Sequence, residues 1–250
     1  MQGCLFLLNG IVGEGMYFFD SFTDKFYINF IKDDRYLFLL NGLKNTLIIT
    51  LFSLIIGIII GLIIAIIKTL AEQRKDALFK FLSRIADIYL TVIRGTPIVV
   101  QLLIFYFIIF ASVDVSKLLV AVIAFGINSG AYASETIRAG IAAIDRGQME
   151  AGRSLGLSYG QTMRYVILPQ AIKNILPALG NECIALLKET SVAGYIALED
   201  LTKGGDIIRS RTYEAFMPLI AVALIYLLIV IAMTMGLKSL ERRLRRSEHR

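Results

Sequence analysis

Seven side chains able to bind a polar solute sit inside apolar stretches of this 250-residue chain. Asn128, Ser129, Tyr132 and Glu135 lie in one stretch, and Asn181, Glu182 and Lys188 in another. Asn128, Tyr132 and Glu135 recur at i, i+4 and i+7, which places them on one face of a helix. Asn181 and Lys188 share a stripe of the second helix, and Glu182 and Glu189 share the neighbouring one. Polar groups of this kind are costly in hydrocarbon, so they face protein or water, where they either mark a solute pathway or satisfy one another. Both readings remain open: Glu135 can close on Arg138, and Lys188 can neutralise Glu182 or Glu189. Arg94, directly before Gly95 and Pro97, reads as a residue that fixes a helix break.

Covalent and metal chemistry have little to work with. His249 is the only histidine and lies in a charged tail, which removes histidine-based metal sites and Ser/His or Cys/His pairs. Cys4 and Cys183 form neither a disulfide framework nor a zinc spacing. No Gly-x-x-x-x-Gly-Lys-Ser/Thr segment occurs, so the chain carries no phosphate-binding loop for ATP hydrolysis.

The elements that hold these residues follow from hydropathy. The chain is 56% hydrophobic with a mean hydropathy of +0.69, and its apolar runs are separated by charged ones. This pattern predicts an all-α membrane bundle of about five transmembrane helices in a multi-pass protein. The formal charge of +6 does not point to nucleic acid, because Lys and Arg collect at the ends of apolar runs and form no basic, aromatic-interleaved stripe.

The expected spans are about Leu43–Ile67, Ile85–Ala111, Leu118–Gly140, Ala171–Leu198 and Phe216–Leu237, each near the roughly 20 residues needed to cross. The first contains Gly57-x-x-x-Gly61, a spacing that allows close helix approach. The second is expected to break at Arg94-Gly95-Thr96-Pro97. The fourth, with Pro177, Asn181, Glu182, Lys188 and Glu189, is too polar to face lipid. A charged connection is expected over Lys68–Arg84 and a polar link over Glu199–Glu214. Residues 1–40, with the short apolar run Cys4–Val12 and an aromatic, charged segment Tyr17–Tyr36, read as extracytoplasmic or interfacial. Residues 41–240 form the membrane domain, and 241–250 a basic tail. Alternate connections carry 16 and 8 basic residues; the positive-inside bias puts the N-terminus outside, and the 141–170 connection and the tail in the cytoplasm.

That cytoplasmic connection is long for a chain with short links, and long ordered loops are usually functional. Asp145 reads as a helix N-cap, and Gly156 sits where a glycine ends the helix. Between them Glu150, Ala151, Gly152, Ser154, Leu155 and Gly156 combine small positions with an apolar anchor that could seat in a groove of another protein. A surface helix that only caps the bundle would look much the same.

The segment Glu150-Ala151-Gly152, followed by Gly156 and then Ile167-Leu168-Pro169, resembles the "EAA" loop of ATP-binding-cassette importer permeases. Gly152 stands where that pattern more often has Ala. Arg94-Gly95-Thr96-Pro97 with Gln101-Leu102, Tyr132 to Gly140, and Leu187-Lys188-Glu189-Thr190-Ser191 resemble the polar amino-acid subfamily of those permeases, in the family's order, over about Asn41 to Leu240. The resemblance implies a type I importer in the bacterial cytoplasmic (inner) membrane. Its partners would be a second permease subunit, identical or a similar paralogue, two cytoplasmic ATPases, an extracytoplasmic amino-acid-binding protein and membrane lipid. It further implies that Glu150–Gly156 is the coupling helix. This chain would then hold no cofactor, with ATP and Mg used by the ATPase. A pathway lined by amide, hydroxyl and carboxylate groups suits a solute bearing both ammonium and carboxylate. Two other classes compete: an ion-coupled secondary carrier, disfavoured by five crossings and no internal duplication, and a membrane scaffold that only recruits a soluble partner.

Overall fold

The computed structural model describes residues 22–73 and 76–246. The run Cys4–Val12, the start of the aromatic segment at Tyr17, Cys4 and His249 lie outside the described residues. Among those described, all regular structure is helical. The elements are α1 (Tyr36–Gln73), α2 (Ala77–Gly95), α3 (Ile98–Ile104, prolonged by a π turn at Phe105–Ile109), α4 (Lys117–Ala142), α5 (Arg146–Ser154), α6 (Tyr159–Thr162), α7 (Leu168–Glu189), α8 (Leu201–Thr212) and α9 (Phe216–Arg246). A π turn at Met163–Ile167 joins α6 to α7.

Helices α1, α4 and α9 are long and apolar enough to cross a membrane. Helices α2 and α3 pass the same test only as a pair bent by 108°, so the expected second span is two helices meeting at a sharp corner. With 22 residues, α7 is about 33 Å long, enough to cross, although its polar residues make it unlike a lipid-facing span. The expected charged connection over Lys68–Arg84 is mostly helix. Helix α1 runs on through Lys68 to Gln73 and α2 begins at Ala77, with Lys68 paired to Asp87. Long basic side chains at helix ends carry their charge outward along an apolar stem, so charge there does not end a helix.

The core is built on α1 and α4, whose backbones approach through small residues from both sides. Gly57 and Gly61 face Ser129 and Ala133, while Gly126 and Gly130 receive Ile56 and Ile60. Ser53 adds a 3.0 Å hydrogen bond to the Val122 carbonyl. Sequence numbers rise together along the contact, so the two helices run parallel. Van der Waals contact drives helix association in lipid, and small residues allow the backbones to approach. A Cβ on Gly61 would lie 2.8 Å from the Ala133 Cβ and 2.9 Å from the Ser134 nitrogen. Gly61→Leu is therefore expected to cost at least about 1–3 kcal/mol through overpacking, lowering the melting temperature in detergent by roughly 5 °C or more. An unchanged melting temperature would contradict this packing.

The expected polar link Glu199–Glu214 contains a helix. Asp200, fully buried, caps α8 by accepting from the Thr202 and Lys203 N–H groups at 2.9 and 3.2 Å. Leu201, Gly204, Gly205 and Ile208 turn inward at helical spacing, and the Leu201 N–H donates to the buried Thr46 hydroxyl at 3.1 Å. The expected fourth span also ends earlier, at Glu189. A 3-10 turn follows at Thr190–Ile196, where the Thr190 hydroxyl bonds the Leu187 carbonyl and Ala197 takes a left-handed conformation.

Candidate functional site

The break between α2 and α3 places side chains that no straight helix could bring together. Pro97 has no N–H to continue α2, and the freed carbonyls at its end are taken up by side chains. The Thr96 hydroxyl donates to the Val92 carbonyl at 2.8 Å, and the Gln101 amide donates to the carbonyls of Ile93 and Thr96 at 2.7 and 3.0 Å. Gln101 is held in turn by Asn128, whose amide donates to its Oε1 at 3.0 Å. Non-helical backbone at membrane depth requires such internal satisfaction.

This brace changes the reading of the helix face Asn128–Tyr132–Glu135. Helix α3 folds back over the first of these residues and stops short of the other two. Asn128 is buried as part of the corner, and Ser129 is buried against Gly57. Neither meets an open surface in this chain, where Asn128 braces the corner and Ser129 packs on Gly57. Asn128→Leu should strand the Gln101 acceptor at a cost of about 1–3 kcal/mol. The expected result is a lower melting temperature with membrane insertion intact, and an unaltered one would contradict the brace.

Tyr132 and Glu135 stay accessible and gather cations. The Arg94 side chain, 45% exposed, lies 3.7 Å from Glu135, with its guanidinium 5.8 Å from the centre of the Tyr132 ring. Glu135 also meets Arg138 at 3.4 Å, and Arg138 reaches Glu72 at 3.3 Å. Thr136, the next residue, lies beside Glu182 on α7. The result is a half-open patch that brings the Arg94 and Arg138 guanidiniums, the Tyr132 phenol, the Thr136 hydroxyl and the Glu135 and Glu182 carboxylates together on α2, α4 and α7. Asn181 and Lys188 are exposed outside this cluster, and among the described residues Lys188 forms no ion pair within 4.0 Å; the field of its charge falls on Glu189. Arg94 was expected from its place beside the Gly-x-Pro break to fix that break. Its guanidinium lies against Tyr132 and Glu135, while Thr96, Gln101 and Asn128 hold the corner.

The loop after α4 folds into a helical hairpin. The Asp145 side chain caps α5 through the Gly147 N–H at 2.7 Å. At its other end the Leu157 N–H reaches the Gly152 carbonyl at 3.1 Å and the Gly156 N–H reaches Arg153 at 3.0 Å, with Gly156 at φ +84°. This glycine-ended pattern stops the helix and turns the chain. Ser158 and Gln161 then form a reciprocal capping box that starts α6, and Gln170 ties α7 back to Gln148 at 3.3 Å.

Gly152 does not belong to the outward face. It is buried against Thr162, and a Cβ there would sit 2.5 Å from the Thr162 Cγ2, so its small size serves the hairpin's own closure. Glu150, Ala151, Ser154 and Leu155 are exposed. Leu155, 83% exposed, presents an apolar side chain at the tip of a polar loop.

Helical membrane spans, a polar patch at their depth and a projecting helical hairpin define a transport-pathway subunit. The chain belongs to the family of inner membrane components of binding-protein-dependent transport systems, whose sequence model matches residues 57–246. It is 43% identical over 176 residues to the arginine transport system permease protein ArtQ of Bacillus subtilis (strain 168), covering 70% of this chain and 80% of that protein. It is 40% identical over 166 residues to the glutamine transport system permease protein GlnP of Escherichia coli (strain K12), covering 65% and 76%. The fold superimposes on a chain of the crystal structure of an amino acid ABC transporter with histidines, with TM-score 0.76, 44% identity and coverage of 83% and 94%. A chain of the inward-facing MetNI methionine ABC transporter shares the fold at TM-score 0.71 and 19% identity, over 85% of this chain and 99% of that one. The chain is thus a multi-pass permease subunit that forms part of a translocation pathway. It is not the ATP-hydrolysing component, and it works with ATPase subunits and a binding protein.

Proposed function

We infer that this chain is the permease of an ATP-driven amino-acid importer of the bacterial cytoplasmic membrane, with its N-terminus outside and α5 in the cytoplasm. The observation that carries the reading is the accessible Arg94–Tyr132–Glu135 group at membrane depth. Charge so placed needs water or protein over it. A guanidinium beside carboxylates matches a solute that carries both a carboxylate and an ammonium, the shared chemistry of the solutes named for the relatives. Arg94 would take the carboxylate, and Glu135 and Glu182 the ammonium. A second permease, identical or paralogous, would cover the patch and close the pathway, while Asn181 and Lys188 line its approach.

Coupling runs through α5. Glu150, Ala151, Ser154 and Leu155 would seat in a groove of one of two cytoplasmic ATPases, which bind ATP and Mg, while Gly152 and Gly156 hold the hairpin's shape. The capping and glycine-stop bonds make this loop a stiff lever fastened to α4 and α7, two of the three helices that carry the patch. Proteoliposomes holding this permease with its ATPase and binding protein should accumulate a labelled amino acid only when ATP and Mg are supplied on the α5 side. Accumulation driven by an ion gradient without ATP would instead indicate a secondary carrier.

A further inference from the structure

A cleft of about 1090 Å³ opens between α1, α4 and α7 and the start of α6, away from the Arg94–Glu135 patch. One end is wholly apolar, walled by Ile58, Leu62, Ile66, Ile172 and Leu176. The other end is polar and basic, with Gln73, Ser158, Tyr159 and Arg164. From Ile58 to Gln73 the cleft follows about 22 Å of α1, the depth of one bilayer leaflet (about 15 Å of hydrocarbon) plus its headgroup layer. Arg164 has no ion pair among the described residues, its guanidinium lying 5.7 Å from the centre of the Tyr165 ring. The nearby carboxylate of Glu72 is engaged by Arg138 at 3.3 Å. An apolar channel of leaflet depth with an unpaired cation at its mouth complements an amphiphile with an anionic head.

We propose that this cleft is a site for one phospholipid with an anionic headgroup, its acyl chains lying between α1 and α7 and its phosphate held by Arg164. The lipid is a structural ligand, distinct from the transported solute. Ser158 and Tyr159 at the mouth directly follow the Gly156 turn, so a bound lipid would join the membrane leaflet to the base of the coupling hairpin. The side on which the lipid sits rests on the proposed orientation, but its binding does not.

Native mass spectrometry of the assembled importer, released from nanodiscs of equal parts phosphatidylglycerol and phosphatidylcholine, reads the site without requiring transport. Failure here would therefore leave the transport reading standing. Wild type should retain phosphatidylglycerol in preference to phosphatidylcholine, Arg164→Gln should reduce that preference by about tenfold or more, and Arg164→Lys should keep most of it. Ile172→Trp, which fills the apolar wall, should lower retention of both lipids while size-exclusion elution stays unchanged. Equal retention of the two lipids by wild type would overturn the proposal, as would a preference untouched by Arg164→Gln. Efficient cross-linking of Ile172→Cys to the second permease would also overturn it, because a protein would then occupy the cleft.

Discussion

Leu155→Asp is expected to weaken binding of the partner ATPase by about 30-fold or more while leaving the membrane domain folded. Leu155 is 83% exposed at the end of α5, so its removal costs the permease itself little. An apolar anchor buried at the centre of an interface is worth at least about 2 kcal/mol when lost, and an aspartate there adds an unpaired charge to be desolvated. Co-purification of the ATPase with the variant, set against the monodispersity of the permease, reads both halves of the expectation. Gly152→Val is the complementary variant. It strikes Thr162 inside the hairpin, so it should impair coupling by misplacing Leu155. Full ATPase retention in the Leu155→Asp protein would show that α5 only caps the bundle.

Removal of Arg94 or Glu135 is expected to lower amino-acid uptake by about 10- to 100-fold with ATPase assembly unchanged. A hydrogen bond to a charged group contributes about 1.5–3 kcal/mol, and each residue would supply one to the passing solute. The two variants should differ in character. Arg94→Ala leaves Glu135 paired with Arg138 at 3.4 Å, so that carboxylate keeps a cation. Glu135→Ala leaves Arg94 and Arg138 without the carboxylate that lies between them, and their mutual repulsion should open the patch. Initial uptake rates by proteoliposomes at saturating binding protein measure the loss. If both variants transport at the wild-type rate, the ladder from Glu72 to Arg94 is only a brace.

The sequence made the long apolar helices legible because uncharged apolar runs such as Leu47–Ile66 carry no competing signal. It also located the ends of α5 to the residue, since Asp145 and Gly156 act locally through backbone geometry. What it could not show was which residues on one helix face are covered by another part of the chain. Asn128 and Glu135 sit on the same stripe of α4, yet the fold-back of α3 after Pro97 buries the first and leaves the second open. Gly152 shows the same limit, because a small residue looks alike whether it admits a partner or its own chain's Thr162. Helix α8 was hidden in a polar link, although Asp200, Leu201, Gly204 and Ile208 already carried a cap and a helical spacing.

ATP hydrolysis by the reconstituted importer, with and without amino-acid-loaded binding protein, tests the central claim most directly. A permease that couples the pathway to the ATPase through α5 should show hydrolysis stimulated several-fold by the loaded binding protein, with the stimulation lost in Leu155→Asp. Hydrolysis indifferent to the loaded binding protein, or a Leu155→Asp complex stimulated as strongly as wild type, would contradict it.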